Sequence, residues 1–338
     1  MRWRQRVAGA ACALACLGSP ALAQEGAPAP GQDKVLRVCQ DPNNLPLSNR
    51  DGAGFENRIA ALLAQELGWK LEHTWFPQRI GFIRNTLRAK EENTDRYKCD
   101  LVTGVPKGFE LAATTRPYYR STYAMAYVKG KGLDRVRTLD DLLALDPAQR
   151  KRLRIGVFTG SPVTEWLLRH GLMEQVEWYQ SQTGDAAQYP GEIVEKDLAS
   201  GKIDVALAWG PIVGYFARNA RTAPIAAIPL APGPGMKLDF EIAMAVRHGD
   251  KEFRARIDQL LATNEPKIRA ILEQYGVPLL ALQEAPGPGQ ALAQPAAQPA
   301  APTSAQLAAP TSAQPAAPTS AQARAPAPAL APTSTRAP

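Results

Sequence analysis

VLRVC at residues 35–39, followed by NRIAALLAQELG at 57–68, is the stretch that decides the fold. The first run is short and rich in β-favouring residues, whereas the second repeats apolar residues at helical spacing until Gly68 ends it. Two further β-rich runs follow, LEHTWF at 71–76 and DLVTGV at 100–105. This alternation of strand and helix predicts a parallel sheet with right-handed crossovers.

The same pattern repeats later in the chain. RIGVF at 154–158, VEWYQ at 176–180 and VALAW at 205–209 predict strands separated by helical segments. The extended runs YAMAYV (123–128) and FEIAMAV (240–246) lie between and after the two sets. We therefore predict a bilobed α/β fold in which two parallel-core sheets are joined by a two-segment hinge.

The amino-terminal end differs from the middle of the chain. Arg2, Arg4 and Arg6 precede an apolar run that leads to small residues before Gln24. This arrangement predicts a secretory signal cleaved after Ala23. The apolar run is about 11 residues, shorter than the ~20 that a membrane-spanning helix needs, so we expect a soluble periplasmic protein without a membrane anchor.

The carboxy-terminal end is compositionally biased. It consists mainly of Ala, Pro, Gln, Ser and Thr, and AAPTSAQ occurs in it three times. Ala cannot build a core and Pro interrupts helices and ladders, so we predict a disordered tail. The expected division of the chain is signal peptide 1–23, linker 24–33, first lobe 34–120, second lobe 121–239, return to the first lobe 240–284 and tail 285–338.

Net charge does not indicate nucleic-acid binding. Lys and Arg number 39 against 32 Asp and Glu, but three of these arginines lie in the predicted signal and two in the tail. The middle of the chain is therefore close to neutral, and we expect no nucleic-acid partner.

Two cysteines, Cys39 and Cys99, remain after removal of the signal. In an oxidising compartment such a pair favours a disulfide. The predicted register opposes it, because Cys39 ends one strand and Cys99 begins another, and a bridge needs Cα atoms within about 7 Å. The sequence is therefore compatible with a disulfide and with two buried free thiols. His73, His170 and His248 are scattered, so we predict no metal site and no cofactor.

Several motifs resemble the periplasmic solute-binding proteins of the polar amino-acid type. They are GFENRIAALLAQELGW (54–69), CDLVTGV (99–105), RPYYRSTYAMAYV (116–128), RIGVFTGSP (154–162) and LASGKIDVALAWG (198–210). The resemblance implies a two-lobed binding fold whose ligands lie between the lobes, beyond the carboxyl ends of the strands.

A narrower resemblance is carried by VCQDPNNLPLSN (38–49), FPQRIGFIRNTL (76–87) and AWGPIVGYFA (208–217). These details are similar to the MxaJ and XoxJ accessory proteins of quinoprotein methanol dehydrogenases, which use pyrroloquinoline quinone. The resemblance implies a role in methanol oxidation, with the dehydrogenase or its c-type cytochrome as partner.

The chain departs from the amino-acid binders at their two charge anchors. Where those proteins carry an Arg for the substrate carboxylate, this sequence has Gly108, and where they carry an Asp for the ammonium group it has Trp209. A buried zwitterion would lack both partners, and burying an unpaired charge costs several kcal/mol. We therefore expect no α-amino acid in the cleft.

Apolar, aromatic and a few polar side chains replace those anchors in the predicted cleft. Aromatic residues and Arg are the types that carry interface energy, so the set suits a protein segment or an apolar molecule. The local alternatives are prolines that only shape turns, Trp209 as a plug in a lobe core, and Arg79 and Arg120 in local ion pairs. The predicted cleft residues are Asn43, Asn44, Pro77, Gln78, Arg79, Val105, Pro106, Tyr118, Tyr119, Arg120, Ser161, Pro162, Trp209 and Pro211.

No motif for catalysis is present in the sequence. Ser161 lies in GSP without a nucleophile elbow. Glu56, Glu110 and Glu165 are candidates for a general acid, but Glu56 and Glu165 fit first helical turns, where a carboxylate favours the helix dipole. We predict a non-catalytic periplasmic binding protein that assists assembly or activation of the dehydrogenase or contacts its cytochrome. The alternative is a transporter-type receptor for a solute other than an α-amino acid.

Overall fold

The computed structural model describes residues 29–283, except 182–184, 186 and 234–235. The predicted signal peptide, the first half of the predicted linker and the predicted tail lie outside these residues. Among the described residues, no helix is both long and apolar enough to cross a membrane.

The first part of the chain alternates strands and helices, as the sequence predicts. Its elements are β1 (Val35–Gln40), β2 (Asn43–Asn44), β3 (Ser48–Asn49), α1 (Phe55–Leu67), β4 (Lys70–Trp75), α2 (Phe82–Asn85), β5 (Leu101–Pro106), β6 (Ala113–Thr114) and β7 (Tyr119–Val128).

The middle part repeats the alternation with shorter elements. They are α3 (Leu139–Leu143), α4 (Pro147–Lys151), β8 (Ile155–Phe158), α5 (Val163–Arg169), a 3₁₀ turn (Met173–Gln175), β9 (Val176–Tyr179), a π-type helix (Ile193–Leu198), β10 (Val205–Trp209), α6 (Gly210–Asn219) and β11 (Ile225–Pro229).

The last part returns to the first. Its elements are β12 (Asp239–Val246), α7 (Lys251–Thr263), α8 (Glu265–Gln274) and β13 (Leu279–Leu280).

Eleven of these strands form one mixed sheet, whose main path runs β4-β1-β5-β12-β7-β10-β8-β9. Strand β7 belongs to both halves of it: Tyr119 to Thr122 pair with β12, and Tyr123 to Ala126 pair with β10. We call the part built on β1, β4, β5 and β12 the first lobe and the part built on β8, β9 and β10 the second lobe. The predicted bilobed α/β class is confirmed, and both predicted hinge runs are strands of this sheet.

Helix α1 shows how the sequence pattern becomes packing. Ile59 and Leu63 are fully buried in the core that also contains β1 and β5 residues, and burial of each such side chain contributes about 1.5–3 kcal/mol. Gly68 ends the helix in the left-handed conformation with φ of 67°, as the sequence predicts. At the other end, the backbone N–H groups of Phe55 and Glu56 donate to the carbonyls of Pro46 and Leu47. The loop at 43–49 is thereby fixed to the start of α1.

The structure contains a disulfide between Cys39 and Cys99, with Cα atoms 5.7 Å apart. The objection from strand register is wrong because Cys99 precedes β5, which begins at Leu101. In the sheet, Cys39 is opposite Val102, so the two cysteines are not residues of facing strands held apart by the ladder.

Candidate functional site

A closed polar network lies where β1 and β5 end in the first lobe. Asp41 follows β1, and its carboxylate accepts hydrogen bonds from the backbone N–H groups of Asn43 (2.8 Å) and Gln78 (2.6 Å). The Asn44 side-chain amide donates to the Gln78 side chain at 3.3 Å. Asn44 and Gln78 were both predicted as cleft residues, and here they bind each other. Burial raises the pKa of Asp41, although these backbone donors act in the opposite direction.

Glu56 is the most deeply buried acid of this network. The Tyr118 hydroxyl donates to Glu56 Oε1 at 2.5 Å and accepts from the Gly104 backbone N–H at 3.1 Å. Glu56 Oε2 has no hydrogen-bond partner among the described residues. Burial raises the pKa of Glu56 to about 8, although the hydrogen bond from Tyr118 acts in the opposite direction. At neutral pH the side chain is therefore mostly an uncharged acid.

The space beside Glu56 is small. Residues that include Gln40, Asp41, Thr103 and Gln78 enclose with Glu56 a cavity of about 10 Å³, at the lower limit of what one water molecule needs. Even the smallest amino acid does not fit in this cavity.

Gly104 is required at this position of the first lobe. It has φ of +70°, and a Cβ on it would lie 3.4 Å from Glu56 Oε1. The left-handed backbone and the close carboxylate both favour glycine.

An aromatic cluster continues the network toward the second lobe. The ring of Tyr118 lies 5.0 Å from that of Tyr119, and the ring of Trp209 lies 5.6 Å from Tyr123 and 6.1 Å from Phe240. Burial raises the pKa of Tyr118 and of Tyr119 well above the ordinary value, so both hydroxyls keep their protons. Trp209 packs against the hydrophobic clusters of both lobes. It is partly buried, which agrees with both the plug and the cleft interpretation of the sequence.

The loop at 43–49 also contacts the second lobe. Leu45 and Leu47 pack against the cluster that contains Ile193 and Ile212, and the Asn43 side-chain amide donates to the Ala187 carbonyl at 3.2 Å. Side chains of the first lobe thus occupy part of the region between the lobes.

Several predicted cleft residues lie elsewhere or serve the framework. Val105 belongs to the first-lobe core around the disulfide, and Pro106 is buried on β5 opposite Ile242, because β5 is a central strand covered on both faces. Arg120 forms an ion pair with Asp239 across β7 and β12.

The remaining predicted residues lie at helix starts or on the surface. Pro162 precedes α5, and Pro211 is buried in the first turn of α6. Ser161 is 5% exposed, and its hydroxyl has no partner in the part of the chain that the structure describes. Arg79 is exposed, with its guanidinium 6.0 Å from the Phe76 ring centre. Pro77, next to it, is half-buried.

Gly108 and Trp209 are the two positions at which the sequence predicts that charge anchors are lost. Gly108 is exposed with φ of +80°, a conformation that disfavours an Arg there. Trp209 fills its position with an indole. Within the described residues, no group of three or more His, Cys, Asp or Glu side chains is placed to hold a metal ion.

Sequence reasoning missed Gln40, Asp41 and Thr103 as members of the polar network. Gln40 and Asp41 directly follow the apolar part of the first strand. Polar residues at the end of a strand could have indicated that they belong to the site. The sequence predicts Glu56 as a candidate general acid that fits a first helical turn. The structure confirms the helical turn, but the depth of burial is not predictable from that position.

The chain was compared with family models and with known proteins. No family model matches it. It is 32% identical to protein MoxJ of Methylorubrum extorquens over 288 residues, which cover 79% of this chain and 91% of that protein.

Solved structures agree with this likeness. The crystal structure of periplasmic binding protein XoxJ from Methylobacterium extorquens AM1 is 35% identical, has a TM-score of 0.58, and is matched over 73% of this chain and 100% of its own. MxaJ from Methlophaga aminisulfidivorans MPT is 29% identical with a TM-score of 0.58, over 72% of this chain and 100% of its own. An ancestral cationic amino acid solute binding protein, 19% identical with a TM-score of 0.55 over 72% of this chain and 96% of its own, shares the fold.

Proposed function

The chain belongs to the MoxJ family, and from this premise we propose that it binds the quinoprotein methanol dehydrogenase and assists its assembly or activation. It is a periplasmic binding protein of methanol oxidation. The c-type cytochrome that accepts electrons from the dehydrogenase is the second partner to be tested. The chain itself supplies no catalytic group in this proposal.

The proposal rests on Gly108 and Trp209, the two uncharged residues at the positions where the resemblance to amino-acid binders predicts the charge anchors. The buried carboxyl group of this region, Glu56, is mostly uncharged at neutral pH because burial raises its pKa to about 8. An amino acid in the cleft would bring two charges without partners, at a cost of several kcal/mol. A protein partner needs neither anchor.

The aromatic cluster supports a protein ligand in a second way. Tyrosine and tryptophan are enriched among residues that dominate interface energy, and Trp209 is only partly buried. A partner segment that enters between the lobes would meet Trp209.

Affinity capture from the periplasm of methanol-grown cells tests the proposal. The tagged mature chain should recover the dehydrogenase or the cytochrome, and deletion of its gene should lower methanol dehydrogenase activity while the dehydrogenase polypeptide is still made. Recovery of neither protein, together with normal dehydrogenase activity in the deletion strain, would refute the proposal.

A transporter-type receptor is the competing function, and it predicts a small ligand. A solute present at 100 times its dissociation constant adds about 2.7 kcal/mol of stability. A shift of this size with one non-amino-acid polar solute, in thermal unfolding against a solute panel, would favour the receptor.

A further inference from the structure

A second concave region lies at the opposite edge of the second lobe from Trp209. It encloses about 550 Å³, within the range of ligand and peptide sites. Its walls include Val128, the last residue of β7, and Arg154 and Asp204, which precede β8 and β10. Trp209 is the last residue of β10, and Ser161 follows β8. Strands β8 and β10 therefore separate this region, which we call the basic groove, from the site between the lobes.

The basic groove is positively charged at its rim. Lys131, Arg152 and Arg154 line it, with Asp204 as the one acid among the lining residues that the structure describes. Asp204 is already engaged, because it accepts from Arg154 Nε at 3.0 Å and Nη2 at 2.9 Å. Lys131 and Arg152 have no acidic oxygen within 4 Å among the described residues. Two cations are thus left for a ligand.

The surrounding sequence adds to this charge. Residues 128–133 and 149–154 hold six basic residues and no acidic one, although the chain between the predicted signal and tail is nearly neutral. These two segments therefore carry a local excess of positive charge, although Asp134 and Asp146 lie close to them in sequence. Such a concentration attracts anionic partners over a distance of about 8–10 Å at physiological salt.

The floor of the basic groove is apolar. Val128, Leu133 and Leu153 line it beneath the charged rim. The rim side chains are exposed, and single exposed ion pairs contribute only about 0–1 kcal/mol. A small anion would gain little from them, whereas a protein segment with several carboxylates and one apolar side chain would use the rim and the floor together.

We propose that the basic groove docks an acidic segment of the protein partner that the chain serves in methanol oxidation. This inference rests on the proposed function for the identity of the partner. The basic rim and the apolar floor of the groove support an acidic protein segment as the ligand. This support is independent of the site between the lobes.

Charge reversal tests the proposal on the mature protein. Lys131→Glu with Arg152→Glu should slow association with the purified dehydrogenase or cytochrome at least tenfold at low salt and less than threefold at high salt. The matched control is Lys251→Glu with Arg254→Glu, which makes the same charge change on helix α7 of the first lobe. The control should change the rate less than threefold, and both variants should unfold at the wild-type temperature.

Each other outcome is decisive. Equal binding by the groove variant and the wild type would overturn the groove and leave the proposed function standing. If the wild type binds neither protein, the proposed function fails, and poly-L-glutamate becomes the probe.

The groove would still be supported as a site for acidic segments if the wild type and the control variant bind this polymer and the groove variant does not. Equal loss of polymer binding in both variants would reject the site. Stabilisation by succinate that only the groove variant loses, with unchanged partner binding, would reveal a small-anion site and reject the docking proposal.

Discussion

Two regions of the molecule differ in what they leave available to a ligand: the inner region, by which we mean the polar network around Glu56 with the aromatic cluster at Trp209, and the basic groove. Around Glu56 the polar side chains bind mainly one another and enclose about 10 Å³. The groove at the far edge of the second lobe encloses about 550 Å³, and two cations at its rim have no acidic partner among the described residues. The first region uses its polar groups for its own structure. The comparison supports our proposal that this chain recognises a protein rather than an amino acid.

Removal of the disulfide should produce the largest effect, and it acts on the inner region alone. Cys39 lines the small cavity beside Glu56, and the bridge spans 60 residues. Cys39→Ala with Cys99→Ala should lower the free energy of unfolding by about 4 kcal/mol, measured by urea unfolding. Wild type in reductant should match the variant, and binding to the basic groove should not change. A loss below 1 kcal/mol would show that the inner region does not depend on the bridge.

The next effect concerns pH and Glu56. The side chain ionises near its ordinary pKa of 4.5 in the unfolded chain and near a pKa of about 8 in the folded one. Stability from this group is therefore full below pH 4.5 and falls as pH rises toward 8. In Glu56→Gln this decline is absent, and the difference between variant and wild-type stability should change by about 3 kcal/mol from pH 5 to pH 7.5. The control is Glu165→Gln, an exposed acid in the first turn of α5. Parallel pH curves for wild type and Glu56→Gln would contradict the buried neutral acid.

Trp209 tests whether the inner region is filled by its own side chains. Trp209→Ala should cost about 2 kcal/mol, less than for a fully buried tryptophan, and added indole should restore part of the loss by filling the cavity. Trp178→Ala is the control, since Trp178 is 46% exposed and should change stability by less than about 0.5 kcal/mol. No response of the variant to indole would argue that Trp209 fills no enclosed space.

The smallest effect on stability is expected at the basic groove. Lys131→Glu with Arg152→Glu should change the unfolding free energy by less than about 0.5 kcal/mol, because neither side chain has an acidic partner among the described residues. A loss above 1 kcal/mol would make these cations part of the framework and would weaken the contrast with the inner region.

Local pattern was sufficient for the fold. Helical spacing before Gly68 and short β-rich runs correctly predicted α1, β1, β5, β8 and β10, since both signals depend on neighbours in sequence. The disulfide could not be decided, because the position of Cys99 relative to β1 depends on how the chain enters β5. The lobe boundaries stay a prediction.

The site was harder to predict than the fold. Val105 and Pro106 follow the rule that loops after strands line a cleft, yet they lie in the core because β5 continues through Pro106. Glu56 lies in a first helical turn as predicted, but its burial depends on Tyr118 and Gly104, which are distant in sequence. The basic groove was missed because net charge, averaged over the chain, conceals a local concentration of basic residues.

Titration calorimetry of the mature protein with the common α-amino acids tests the central claim most directly. We predict no binding heat with any amino acid at millimolar concentration, because the two predicted anchor positions hold the uncharged residues Gly108 and Trp209. Saturable one-to-one binding of one amino acid would contradict the account, and it would place a zwitterion site where Gly108 and Trp209 argue against one.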